Sequence, residues 1–430
     1  MDKNTIIGFV LIAAVLFGYS WFTKPTPEQL QELQRRNDSI AQVEQKKLEE
    51  IQQSQMVAGN ADSTITVLNE DSLRQVQMKE AFGIFSDFTT GENEKINLKN
   101  DLVSLSFSSK GGALTEATLN KYKTHDSLPL TLFDEKDNEY GFIFKTGGRI
   151  VNTTDLFFKP IAGKDGKSVT MRLDFGNGKF FDLVYTLPED SYMVKMDIRQ
   201  KGMETILPGN TASLDLFWNQ DLRSQEKGRM FEERNSALYY KFVGSDVDHL
   251  SESKDEQETI SLGLKWIGYK NQFFSSALIP DGKFNGALIR SGMNNDPAYL
   301  KNFHTETTVD YNPADNNGPG FRFYLGPNLY PLLHSYDKGV DDDKALDLDK
   351  LVPLGFKFFR WINTWIIIPI FTFLGKYIAN YGIIILLMTI IIKIFLAPLT
   401  FKSYMSSARM RVLRPQIEEI NAKYPGQDKA

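Results

Sequence analysis

The sequence predicts a mixed membrane protein: an N-terminal transmembrane anchor, a large all-β domain outside the cytoplasm, and α-helical membrane segments at the end. Three observations predict it. Thr5 to Phe22, TIIGFVLIAAVLFGYSWF, is a run of 18 residues with no charge, long enough for a transmembrane helix. From about residue 80 to 345 apolar side chains recur with a period of two, the signature of half-buried strands. Charge is also divided along the chain. Residues 401–430 hold six basic and three acidic side chains, so a tail of +3 follows a body of −8 within a net charge of −5. A chain partitioned by a membrane carries its charge in this way.

The anchor occupies 1–24, with the span at 5–22. Tyr19, Trp21 and Phe22 lie where an interfacial aromatic belt would sit, and FTKPTPEQ offers no small-x-small cleavage site, so the segment reads as uncleaved. Residues 25–79 read as a polar spacer. Its first part, 27–56, favours helix, but its apolar residues drift off any heptad. Residues 57–78 read as a linker.

The β-sandwich domain is placed at 80–350. In MRLDFGNGKFFDLVYTL a Gly-Asn-Gly turn at 176–178 joins two strands, the second with Phe181, Leu183, Tyr185 and Leu187 on one face. Tyr192, Val194, Met196 and Ile198 repeat the alternation, and Val103, Leu105 and Phe107 alternate with serines. No repeat of fixed period is evident.

Residues 351–380 predict an amphipathic helix lying in the membrane interface, with Lys357, Arg360, Thr364 and Lys376 near one face. Residues 381–400 predict the second span, and 401–430 the start of a basic cytoplasmic loop or hairpin in which Pro415 opens a helix. The count of crossings supports the flat reading of 351–380. Two spans place both ends of the chain in the cytoplasm, basic tail included, and the acidic β domain outside; the alternative, an inverted anchor with three crossings, would place the β domain in the cytoplasm.

Enzyme templates fail. IAGKDGKS at 161–168 has Ile161 where a phosphate loop requires its first glycine, and reads as a turn. DDDKALDLDK at 341–350 lacks the glycine and terminal glutamate of a calcium loop. There is no H-E-x-x-H or G-x-S-x-G. With no cysteine and four scattered histidines, disulfides and thiolate sites are excluded and no local metal-ligand pair stands out. The expectation is a protein without catalytic residues, metal or cofactor, and with no nucleic-acid ligand.

Lys393 is the exception in the apolar run. It lies twelve residues past Tyr381, about 18 Å along a helix, inside a hydrocarbon core about 30 Å thick. Two readings stand level. The stem snorkels to the nearby interface, or the ammonium faces a wet cavity and meets a polar or anionic partner.

APLTFKSYMSSARMRVLRPQIEEINAKY at 397–424 resembles the end of the second transmembrane segment and the first cytoplasmic loop of the YidC membrane-protein insertase family. Pro-Leu-Thr at 398–400, Lys-Ser-Tyr at 402–404 and Ala-Arg-Met-Arg at 408–411 carry the match. SKGGALTEATLNKY (109–122), GYKNQFFSSALIP (268–280) and FYLGPNLYPLL (323–333) resemble the large periplasmic domain of Gram-negative members. The resemblance follows the whole chain in order.

It implies a β-supersandwich for the periplasmic domain and a location in the bacterial inner membrane. It implies insertion and folding of inner-membrane proteins, with or without the Sec translocon, through a hydrophilic groove bearing one positive residue. Lys393 occupies that position, five residues before Pro398. Many members carry arginine there; lysine keeps the charge without the planar fork. The basic residues Lys402, Arg409, Arg411 and Arg414 would then belong to a cytoplasmic hairpin and touch anionic lipid. Nascent inner-membrane proteins, Sec components and the ribosome are the implied partners. Members continue through further spans, so the resemblance also implies that the chain is an N-terminal portion. The alternative is a membrane-anchored periplasmic domain that binds a glycan or other ligand without insertase activity.

Overall fold

The computed structural model describes residues 70–423. The expected anchor, the spacer helix at 27–56 and the last residues from 424 onward lie outside the described residues. A helix at Glu70–Phe82 occupies part of the stretch expected as linker. Its sequence, EDSLRQVQMKEAF, has good helix formers but no clear apolar stripe, which is why periodicity missed it.

Two antiparallel sheets follow. The smaller has four strands, Lys95–Lys99, Val103–Ser108, Leu114–Lys123 and Pro129–Phe133, in chain order. The larger has 15 strands. Its main path begins Arg149–Asn152, Asn138–Thr146, Ser213–Arg223, Tyr299–Asp310, Phe284–Met293 and Leu264–Lys270. It continues Phe274–Pro280, Asn317–Pro327, Met193–Lys201, Lys179–Thr186, Ser168–Gly176 and Lys159–Ala162. The remaining strands, Ala237–Phe242, Val247–His249 and Glu256–Ile260, pair along its side.

Alternation decides the buried face of strands such as Met193–Lys201, whereas Phe274–Pro280 is buried on both faces. Phe181, Leu183, Tyr185 and Leu187 all point into the core, as do Tyr192, Val194, Met196 and Ile198. The Gly176-Asn177-Gly178 turn takes three positive φ angles, 75°, 53° and 74°, which only glycine and asparagine adopt readily. The 161–168 segment is a hairpin turn, closed by the Gly163 N–H donating to the Ser168 carbonyl at 2.8 Å.

The sheets share one apolar core. Phe107 of the small sheet meets Tyr185 of the large one at 4.7 Å between ring centres. Two buried hydroxyls join the layers: Tyr185 donates to the Gly112 carbonyl at 2.9 Å, and Tyr140 accepts from the Leu114 N–H at 2.9 Å. The hydroxyls also bond each other, so polar groups that would be costly unpaired are satisfied inside the core. Trp218 stacks on Tyr269 at 3.8 Å and donates to Asn138 at 2.9 Å.

Beyond the β domain come helices at Lys357–Ile362 and Ile368–Tyr377, joined by a π-helical turn at Asn363–Ile367. Three residues later a single helix runs Tyr381–Lys423. It holds 43 residues with Pro398 and Pro415 inside, about 65 Å of rise. Pro415 therefore does not open a new helix as expected. It sits within one already formed, at the loss of one backbone hydrogen bond.

Candidate functional site

The terminal helix positions Lys393. Its start, Tyr381, is capped by Asn380, whose side-chain oxygen accepts from the Gly382 N–H at 2.9 Å. From Tyr381 to Thr400 the helix rises about 28 Å, close to the thickness of a hydrocarbon core. Lys393 stands past the midpoint of that length, toward the basic end.

Only Ile384 and Met388 of this segment are buried, and the terminal helix touches the preceding one. Ile384 precedes Lys393 by nine residues, two and a half turns at about 3.6 residues per turn. Lys393 therefore faces away from the packed side, and it is exposed. Thr389, four residues before it, and Thr400, seven after, share its face. Their hydroxyls fold back on the helix: Thr389 donates to the Ile385 carbonyl at 2.8 Å, and Thr400 to those of Leu396 and Ala397 at 3.0 Å each. Among the described residues no carboxylate pairs with Lys393. The two threonines were readable at spacings of four and seven, and the reading of the sequence missed them.

Lys402, Arg409, Arg411 and Arg414 are all exposed on the same helix. They do not share a face. Lys402 and Arg409, seven apart, lie on one side, while Arg411 and Arg414 lie on another. Arg414 meets Glu418 at 3.4 Å, an exposed pair of little energetic weight. The cations form a collar around the helix.

The β domain holds a cleft of about 760 Å³ lined by polar groups, among them Lys110, Glu139, Asp221, Arg290, Asn302 and His304. Several are already engaged. His304 bonds Asn219 and Glu306, and Asp221 bonds Asn302. Asp137, in the cleft wall, shares Arg223 with Asp134. The two carboxyls shift in opposite directions. Burial pushes Asp137 up despite hydrogen bonds from the Asp134 N–H and Arg223. At Asp134 burial is outweighed by the Lys136 N–H and the Arg223 guanidinium, which hold it below the usual range. Strand alternation could not reveal this cleft, because its lining comes from turns and strands far apart in sequence.

Asp337, Asp347 and Asp349 bring carboxylate oxygens within 4.8 Å of one another. Their charge is already met. Lys241, almost wholly buried, pairs with Asp347, and Lys350 also reaches it at 3.3 Å. Asp337 accepts the Leu346 and Asp347 N–H groups at 2.6 Å each. The cluster clamps the end of the β domain.

Two helices among the described residues, Phe358–Tyr377 and Tyr381–Ile420, are long and apolar enough to cross a membrane.

Comparison with known proteins agrees with this architecture. Residues 95–371 match the family described as YidC periplasmic domain, and residues 373–430 the family described as 60Kd inner membrane protein. A Membrane protein insertase YidC from Parabacteroides distasonis is 50% identical over 431 aligned residues, which take in 100% of this chain and 68% of that protein. Among solved structures, an active YidC insertase covers 79% of this chain and 64% of its own, at 17% identity and a TM-score of 0.33. A galactose mutarotase-like protein from Lactobacillus casei covers 54% of this chain and 100% of its own, at 10% identity and a TM-score of 0.34. Its relatives are insertases rather than enzymes, it carries a periplasmic domain, and its place is the inner membrane: the chain belongs to the YidC family of membrane protein insertases.

Proposed function

We propose that the protein inserts and helps fold inner-membrane proteins by using Lys393 as the positive residue of a hydrophilic groove. The observation that carries this reading is the placement of Lys393 opposite Ile384, flanked on its own face by Thr389 and Thr400. A lysine near the bilayer centre costs about 2.5–3.5 kcal/mol on insertion scales. An incoming carboxylate or polar terminus offsets that cost and is itself relieved of part of its own desolvation. Partitioning of the substrate's apolar helix into lipid then completes the transfer, its backbone satisfied internally.

The β domain lies in the periplasm and both ends of the chain in the cytoplasm. The segments follow 1–24 anchor, 25–79 spacer, 80–350 β domain, 351–380 interfacial helix, 381–400 second span and 401–430 basic arm. The collar of Lys402, Arg409, Arg411 and Arg414 meets anionic headgroups at about 1 kcal/mol per charge, and faces the ribosome. Sec translocon components are partners for part of the substrate range.

The test is a charge series in cells that depend on this protein. Lys393→Arg retains insertion of a substrate with an acidic periplasmic terminus, and Lys393→Ala loses most of it. Full activity of Lys393→Ala on every substrate tried overturns the role of the charge.

The 760 Å³ polar cleft favours a second reading, in which the periplasmic domain binds a glycan or similar polar ligand. Calorimetry that finds no heat across a glycan panel removes it.

A further inference from the structure

A second cavity, about 490 Å³, opens between the short helix Tyr330–Ser335 of the β domain and the helix before the long one. Its walls include Tyr330, His334, Trp365, Ile368 and Phe373, and Lys376 lines it with them. No carboxylate lines it, although the body of the chain is acidic overall. Trp365 is 72% and Phe373 59% exposed, so the apolar wall is open on one side. Among the described residues Lys376 has no ion-pair partner.

We propose that this cavity holds one anionic glycerophospholipid, with an acyl chain along Trp365, Ile368 and Phe373 and the phosphate at Lys376. The volume suits a segment of a lipid. Continuity with the bilayer singles out the occupant: only Ile378–Asn380 separate this helix from the 43-residue helix that enters the membrane. The aromatic wall and single cation match the composition of a headgroup layer. Tyr330 and His334 stack at 5.5 Å and close the cleft on the β-domain side. A lipid seated here would join the periplasmic domain to the membrane surface. The inference rests on the interfacial placement of residues 351–380 proposed above.

The absence of cysteine allows a direct test on the full chain. Thr372→Cys, inside the cavity, and Ile366→Cys, in the π-helical turn before that helix and outside the cavity lining, each carry a bimane label in phosphatidylethanolamine–phosphatidylglycerol nanodiscs. Brominated acyl chains are supplied on one lipid or the other. The expected result is quenching at both positions, with brominated phosphatidylglycerol at least about threefold more effective than brominated phosphatidylethanolamine at Thr372→Cys only. Adding Lys376→Glu removes that preference. Quenching at Ile366→Cys without quenching at Thr372→Cys overturns the lipid site and leaves the interfacial placement standing. Equal quenching by both lipids at Thr372→Cys, unchanged by Lys376→Glu, means unselective bulk lipid and overturns the headgroup site. No quenching at either position overturns the interfacial placement and the lipid site together.

Discussion

Ile384 and Lys393 stand on opposite faces of one helix, the first with no exposed surface and the second open to its surroundings. The pair separates anchoring from chemistry. Ile384→Ala is expected to weaken packing by about 2 kcal/mol and to lower the midpoint of thermal unfolding in detergent. Lys393→Ala leaves that midpoint unchanged while reducing insertion. A variant series in which both effects always move together contradicts the separation.

The hydroxyl of Tyr185 joins the two β layers. Tyr185→Phe leaves the Gly112 carbonyl without that donor and removes the partner of Tyr140. The expected loss is about 1–3 kcal/mol, read as a lower denaturation midpoint in urea with unchanged slope.

Lys270 carries a pH dependence. Its ammonium is buried, donates to the Asn235 carbonyl at 2.5 Å and lies 5.5 Å from the centre of the Tyr239 ring. Burial lowers its pKa to about 8 from the ordinary 10.5. Between those values the unfolded chain holds a proton that the folded one has released. Lys270 therefore destabilises the fold below about pH 8, and that penalty fades as pH rises toward 10.5, by at most about 3 kcal/mol. Comparing unfolding from pH 7 to 10, the wild type should gain on Lys270→Met as pH rises. A constant gap between the two proteins would show that the ammonium is not the cause.

Gly286 sits where the Phe284–Met293 strand shifts register against its neighbour. A Cβ there would lie 2.6 Å from the Ile260 carbonyl oxygen, closer than any van der Waals contact. Gly286→Ala should push the Glu256–Ile260 strand off the sheet side, at about 2 kcal/mol. Faster amide exchange confined to residues 256–260 would be the readout.

What could be read from the sequence follows from periodicity. The face of 192–198 is correct because a strand half exposed and half buried must alternate, while 181–185 is buried on both faces and its alternation marks only the more apolar one. The turn at 176–178 is correct because its residues tolerate positive φ. The division into sheets of four and fifteen strands is set by pairings between distant segments, which no local pattern encodes. The lysine was conspicuous because it interrupts an apolar run. Its companions Thr389 and Thr400 were not, since a hydroxyl that bonds its own backbone is tolerated in any apolar helix. The Lys241–Asp347 clamp was hidden because the two residues lie 106 positions apart.

Pro398 lies five residues beyond Lys393 and withholds the hydrogen bond that the Ile394 carbonyl would otherwise accept. The helix is therefore weakened between the lysine and the collar, as it is again at Pro415. Bending at Pro398 would let the cationic arm swing through an arc while Lys393 stays on the side held by the packing of Ile384. The first of the two proline joints thus falls between Lys393 and the basic arm, leaving the charge on the packed side of it.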